Sequence, residues 1–349
     1  MTLPNLSTEK MIEFLCGLLN TPSPTGMADA GIAFTEQALA AVPGIRMRRT
    51  RKGALVAVIP GQRSDAPRAL TAHCDTLGGM VKEIKPNGRL KLTQIGGFAW
   101  NTVENEGCTI FTASGKTVRG SLLVNTASAH VYRAAVTETK REDANMEVRL
   151  DARTTSAEET RALGIQVGDF VAFDPRVEVV NGFVRSRHLD DKACVACVVA
   201  AVQALADAGL KPVQTTYLHI SNYEEVGHGA SAGIPAEVTE LLTVDMAAVG
   251  DGQTSNEYQT SLCVKDSGGP YHHGLSNRLR QLADEHQIPY VVDVYPFYGS
   301  DGEAFWRAGG DVAVALIGPG VDASHGYERT HTDALEATAR WVMAYLLAE

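Results

Sequence analysis

Apolar side chains recur at helical spacing near the start of the chain, at Met11, Ile12, Leu15, Cys16 and Leu19, just after Ser7. This spacing predicts an amphipathic helix capped by Ser7 and ended by the prolines of TPSPTG (21–26). Two short apolar runs follow, ALVAVIP (54–60) and RALTAHCD (68–75), and both read as strands; the second ends in polar residues where a central strand would emerge from its sheet. From Leu77 to Val184 the texture changes. KEIKPNGRLKL, TASGKTVRGSLLV, MEVRLDA and GDFVAFDPRVEVVNGFV alternate apolar and polar residues between glycine breaks and predict a series of hairpins, with LGIQVGD (163–169) a turn into the next strand. After Arg185 the pattern predicts a helix over 191–208, strands over 215–222 and 241–246, a helix over 275–287, strands over 290–295 and 312–318, and a closing helix over 334–348.

The expected fold class is therefore α/β, with a mainly parallel sheet flanked by helices and an inserted small β-barrel or sandwich domain. The expected domains are a discontinuous α/β domain of residues 1–76 and 185–349, and a β domain of residues 77–184.

Composition narrows the function. The 349 residues carry 31 Lys and Arg against 41 Asp and Glu, a net charge of -10 without a basic stripe, which argues against nucleic acid or an anionic membrane as partner. MTLPNLSTEK has no basic-then-apolar leader, and the longest apolar run, Ala193 to Val202, is short of the roughly 20 residues that span a bilayer, so a cytoplasmic protein is expected. Six scattered cysteines make no disulfide framework. Cys194 and Cys197 form a C-x-x-C, but in CVACVVAAVQALA and without a second such pair they read as small buried apolar residues of a helix.

Ligands of open α/β sheets gather at the carboxyl ends of strands. The metal-capable residues that fall there are His73 and Asp75, Asp190 and Asp191 before a helix, Glu224 and Glu225, Asp245, and Asp301, His325 and His331 in late loops. Singly, each has an ordinary reading as a helix cap or a solvated charge. Jointly they supply the mixed nitrogen and oxygen donors, including one bridging carboxylate, that two divalent ions roughly 3.5 to 4 Å apart require.

AHCDTLGGMV, RHLDDKACV, YEEVGHGA, the VDM strand end, GSDGEAF and SHGYE together resemble, in order and spacing, the glutamyl-aminopeptidase family of dinuclear metallopeptidases, which includes the tetrahedral TET aminopeptidases. TPSPTG and ALGIQVGDFVAFD share the likeness, which runs over nearly the whole chain. The resemblance implies a zinc-peptidase type of sheet and two divalent ions per subunit, zinc or cobalt. His73, Asp190 and Asp245 would hold one ion and Asp190, Glu225 and His325 the other, with Asp190 bridging. It also implies that Asp75 orients the His73 ring and that Glu224 is the general base and acid. His331 competes with His325 for the last position; the short GPGVDAS loop after the strand at 312–318 favours His325. Asp191 has a helix N-terminal role in this reading. An extended segment at 224–225 would send Glu225 toward a metal and Glu224 toward the water, because successive side chains point to opposite faces.

The activity so implied is removal of the N-terminal residue from short peptides by a homo-oligomer, possibly a dodecamer. The alternatives are a metallo-amidase or deacylase acting on an acylated amino acid or dipeptide-like metabolite, and a non-catalytic binding protein that keeps the fold. Acidic side-chain preference would need a basic residue in the specificity pocket, for which Arg187, His228 and His272 are candidates. The pair His272 and His273 is expected to be structural or substrate-lining.

Overall fold

The computed structural model describes residues 2–349. Ser7 accepts from Lys10 N at 3.3 Å and caps α1 (Thr8–Leu19), which buries Met11, Leu15, Leu18 and Leu19. α2 (Asp29–Leu39) escapes a periodicity reading because its inward face mixes Ile32 and Leu39 with Gly31 and Thr35. β1 (Arg46–Arg49), β2 (Leu55–Ile59) and β3 (Arg63–His73) follow; β3 starts earlier than its apolar run because Arg63 to Asp65 continue it with exposed polar residues.

Residues Thr76–Pro175 form a separate compact unit. Its strands are β4 (Gly78–Ile84), β5 (Leu90–Ile95), β6 (Gly107–Phe111), β7 (Thr117–Val124), β8 (Met146–Leu150) and β9 (Phe170–Phe173), closed as a barrel in the order β4-β5-β8-β7-β6-β9. The Pro-Asn-Gly turn joins β4 to β5, with Gly88 at φ 81° where a side chain would be strained. Alternate residues fill the interior, among them Val81, Leu92, Ile110, Leu122, Val148 and Val171. Three short helices, α3 (Ala129–Tyr132), α4 (Ala135–Glu138) and α5 (Ala157–Ala162), interrupt the hairpins.

The chain then contributes β10 (Glu178–Val180), β11 (Phe183–Ser186), α6 (Leu189–Asp207), β12 (Gln214–Ser221), β13 (Glu240–Val244), β14 (Ala247–Ala248), β15 (Thr260–Lys265), α7 (His273–Glu285), β16 (Tyr290–Val294), α8 (Asp301–Arg307), β17 (Ala313–Val321), β18 (Glu328–His331) and α9 (Thr332–Leu347). The expected boundary at 184/185 lies at 175/176 instead, because β10, β11 and β18 form a three-stranded antiparallel sheet of the larger unit.

The main sheet runs β1-β2-β12-β3-β13-β17-β15-β16, and its centre, β12 to β17, is parallel. Both faces are covered. On β3, Leu70 and Ala72 join the core of α1, α6 and α9, while Ala69 joins a second core with Phe305 of α8; β17 divides likewise, Ala315 and Ile317 against Val314 and Leu316. That double burial explains why these strands read as continuous apolar runs. α6 is buried from Leu189 to Val202, and its alanines and valines fit it closely between neighbours. Its Lys192 is buried too; Nζ donates to Leu18 O at 3.0 Å and Thr21 O at 2.7 Å, satisfying carbonyls at the end of α1. Cys194 and Cys197 are buried free thiols. No helix among the described residues is long and apolar enough to cross a membrane.

His219 on β12 is fully buried, with Nδ1 3.2 Å from Thr71 Oγ1. Burial first, and the charge of Lys52 second, push its pKa down to about 4. An unfolded chain takes up this proton near pH 6.5 and the folded chain does not, so stability is lost as pH falls through the window from about 6.5 to 4. The loss by pH 5 is on the order of 2 kcal/mol. In urea unfolding, His219→Gln should lose correspondingly less stability than the wild type between pH 7 and pH 5; equal losses would overturn this reading.

Candidate active site

Parallel register brings the carboxyl ends of three central strands to one level: Ser221 of β12 pairs with His73 of β3, and Thr243 of β13 pairs with Thr71. His73 is the last residue of β3, Asp245 follows β13, and Glu224 and Glu225 follow β12 by three and four residues. Asp190 enters from the irregular first turn of α6 after a left-handed His188, and His325 from the loop between β17 and β18, at φ 61°.

Asp190 lies at the centre. Its Oδ1 is 3.1 Å from His73 Nε2 and its Oδ2 3.4 Å from His325 Nε2, which is also 3.7 Å from Glu225 Oε2. Donor atoms of His73, Asp190 and Asp245 all fall within 4.8 Å of one another. Glu224 Oε2 is 3.6 Å from His73 Nε2. The structure thus brings together His73, Asp190, Glu224, Glu225, Asp245 and His325. His331 stands apart: its Nδ1 accepts from Asp333 N at the start of α9, and its ring packs edge-on against Phe183.

The two glutamates are not on an extended segment. Tyr223 turns the chain at φ 75°, and Glu224–Val226 form one turn of 3₁₀ helix, so the side chains diverge by about a third of a turn and not to opposite faces. The start of that turn is held by Asp75, whose carboxylate accepts from Glu224 N at 3.2 Å, Glu225 N at 3.4 Å and Thr25 Oγ1 at 2.7 Å. The His73 ring is met chiefly by the main chain of Asp75: Nδ1 donates to its carbonyl at 2.9 Å, while the nearer carboxylate oxygen is 3.7 Å away. That bond turns Nε2 toward Asp190.

The electrostatics follow from burial of like charges. The carboxyls of Glu224, Glu225 and Asp245 are raised, by burial first and by neighbouring carboxylates, Asp245 to about 7. Asp190 goes the other way: burial would raise it, but the hydrogen-bonded imidazoles of His325 and His73 outweigh burial and hold it below the usual range. Burial would lower His73, and Glu224 and Asp190 raise it well above the ordinary value.

Asp190, Glu224, Glu225, Asp245 and His325 line a cavity of about 420 Å³, completed by residues that include Met246, Ala248, Phe297, Tyr298, Ser300 and Arg307. None of the three basic candidates reaches it. Arg187 is buried and donates to Gly326 O at 3.2 Å, His228 stacks on Tyr223, and His272 accepts from Leu275 N as the cap of α7.

The sequence profile of the family described as M42 glutamyl aminopeptidase matches residues 53–341. The chain belongs to this family. YhfE of Bacillus subtilis (strain 168), provisionally named an aminopeptidase, is 47% identical over 341 residues, 97% of this chain and 98% of its own. The lysyl aminopeptidase of Pyrococcus furiosus (strain ATCC 43587 / DSM 3638 / JCM 8422 / Vc1) is 25% identical over 249 residues, 68% and 69% of the two chains. Among solved structures, the TET aminopeptidase of the marine sediment archaeon Thaumarchaeota archaeon SCGC AB-539-E09 superposes with a TM-score of 0.87 at 18% identity, covering 97% and 96% of the chains. The Pyrococcus horikoshii TET1 peptidase does so at 0.83 and 20%, covering 97% and 100%. These two are likenesses of fold.

Around this cluster stand residues whose contacts the sequence did not foretell. Glu328, buried in β18, accepts from Asp190 N at 3.1 Å and His325 N at 3.0 Å and so ties two separate loops together; the only hint was its place in SHGYE. Asp191 is buried and accepts from His73 N at 3.1 Å, a strand contact beyond its place at the helix start. The loop after the glutamate turn is clamped from two sides. Lys52 Nζ donates to His228 O, to Gly229 O at 2.8 Å and to Ser231 Oγ at 3.1 Å, and Asp301 accepts from Ala230 N at 2.6 Å. Only glycine fits at 229, where an added Cβ would meet Asp301 Oδ1 at 2.3 Å. Because each net hydrogen bond contributes about 1 kcal/mol, Lys52→Met and Asp301→Ala should each speed amide exchange across residues 227–231 by roughly fivefold or more. Unchanged protection in hydrogen-exchange mass spectrometry would show that the clamp holds nothing.

Proposed function

We propose that this protein is a dinuclear metal-dependent aminopeptidase that removes the N-terminal residue of short peptides, with Glu224 as general base and acid. The observation that carries the reading is the Asp190 carboxylate, its two oxygens within 3.4 Å of two imidazole nitrogens from different elements. The donor set fits a pair of divalent cations: His73, Asp190 and Asp245 would hold one, and Asp190, Glu225 and His325 the other, with Asp190 shared. The crowded carboxyls support the same reading, since protons retained through burial are what entering cations displace. Zinc or cobalt suits mixed imidazole and carboxylate donors, and when bound supplies Lewis-acid polarisation of the scissile carbonyl and a more acidic water.

The protein's own part is proton transfer and orientation. Glu224 takes a proton from the attacking water on a carboxylate oxygen and returns it to the leaving nitrogen as the peptide bond breaks. Burial and the charges of Asp245, Asp301 and Glu225 raise its proton affinity, which suits a group that must hold that proton between two steps. Asp75 fixes its direction through the backbone bonds to Glu224 and Glu225. A free amine on the first residue is what separates this reading from that of a deacylase for N-acylated compounds.

Purified protein should contain about two divalent ions per chain, and Glu224→Gln should keep them while kcat falls by about 10²–10⁴ on aminoacyl p-nitroanilides. Chelator should abolish turnover, and N-acetylated substrates should not be cleaved. Activity untouched by both the substitution and chelation would sink the mechanism. From likeness to a TET1 peptidase described as assembling into a tetrahedron or a large octahedral shell, we propose that this chain also forms a homo-oligomer. Light scattering checks this, with a monomeric mass as the contrary result.

A further inference from the structure

We infer that Arg307 binds a carboxylate on the leaving side of the substrate, so that the site favours short peptides with a free carboxyl terminus; the inference rests on the aminopeptidase reading above. The cavity is graded in depth and in charge. Asp190 and Asp245 at its inner end are 8% and 5% exposed, whereas Phe297 is 96% exposed at the other extreme, and Gly299 and Arg307 are also exposed. The inner end carries the carboxylates, and the outer end carries Arg307, the only lysine or arginine among the described residues that lines the cavity.

Substrate polarity follows from this gradient. The scissile carbonyl must reach Glu224 at the buried end, and a peptide that continues past the broken bond has open space only toward the exposed end. The remainder of the peptide therefore runs outward, toward the rim where Arg307 stands. In a dipeptide whose second residue has an uncharged side chain, the only charge on that remainder is its terminal carboxylate.

Arg307 is free to receive it. It ends α8, and its Nε donates to Glu303 O of the same helix at 3.3 Å, which steadies the guanidinium plane. Neither terminal nitrogen has a hydrogen-bond or ion-pair partner among the described residues. Glu303 feels the charge of Arg307, but its carboxyl packs against Gly268. A planar fork with two open nitrogens matches a carboxylate in bidentate geometry, which an ammonium would not. At an exposed rim the contact is worth roughly a three- to tenfold preference and weakens with salt. The signal in the sequence was slight: Arg307 lies six residues beyond Asp301 on a helix too short to show a face.

The test uses the full-length, metal-loaded protein carrying Glu224→Gln, so that binding is read without turnover, with and without Arg307→Met. Calorimetry with leucylglycine and leucylglycinamide should show the free carboxylate bound three- to tenfold more tightly, with the ratio near one once Arg307→Met is added. In the otherwise wild-type enzyme the same ratio should appear in KM rather than kcat. A ratio that survives Arg307→Met overturns the proposal. So does a ratio of one in the parent protein, or a loss confined to glutamylglycinamide, which would mean that the guanidinium reads the first side chain. Failure of the wild type to cleave any free-amine peptide would refute the aminopeptidase reading, while the calorimetric ratio would still decide Arg307.

Discussion

Asp190 carries a carboxylate into a buried position already crowded by Glu225, Asp245 and Glu224, and the opposing groups within 3.4 Å of it are the imidazoles of His73 and His325. Water screens such repulsion at a surface; a buried site does not. The chain has two remedies, retaining protons or taking up cations, and the two compete for the same oxygens. Much of the surrounding structure keeps these charges close despite their repulsion.

The holding is done largely by main-chain contacts one layer out. Asp75 collects the amides of Glu224 and Glu225, Asp191 that of His73, and Glu328 those of Asp190 and His325. Each bond fixes a backbone and so sets the direction of the inward side chain. Burial outweighs these donors at two of the braces: it raises the carboxyl of Asp191 and pushes that of Glu328 up to about 8. Lys52 and Asp301 extend the same device to the loop beyond the glutamates, with opposite charges gripping carbonyls and an amide.

Much of this was legible along the chain. Helix periodicity revealed α1, α6 and α9, the apolar runs revealed the central strands, and the alternation of residues 77–184 announced a β unit, because each pattern records burial on one face or two. α2 and α8 were not legible. Gly31 and Thr35 dilute the apolar face of the first, and the second is seven residues long and begins Asp-Gly-Glu. The hairpin at 178–186 was assigned to the wrong unit because its partner, β18, lies about 140 residues further on, and strand pairing at that distance leaves no local trace.

Taken alone, the sequence determined which residues could do chemistry, since polar groups at the ends of apolar strands are exceptions that burial makes conspicuous. It also determined the alternation of β and α that sets those ends side by side. Tertiary structure decided the rest. It brought His325 rather than His331 to Asp190, set Glu224 and Glu225 on a tight turn and not a strand, gave the Asp75 carboxylate to the glutamate backbone, and left Arg307 open at the rim. Those outcomes depend on distances between atoms far apart in the chain and on which amide each carboxylate finds after packing. A pattern of residue types carries the need for a partner, but only the folded backbone supplies its position.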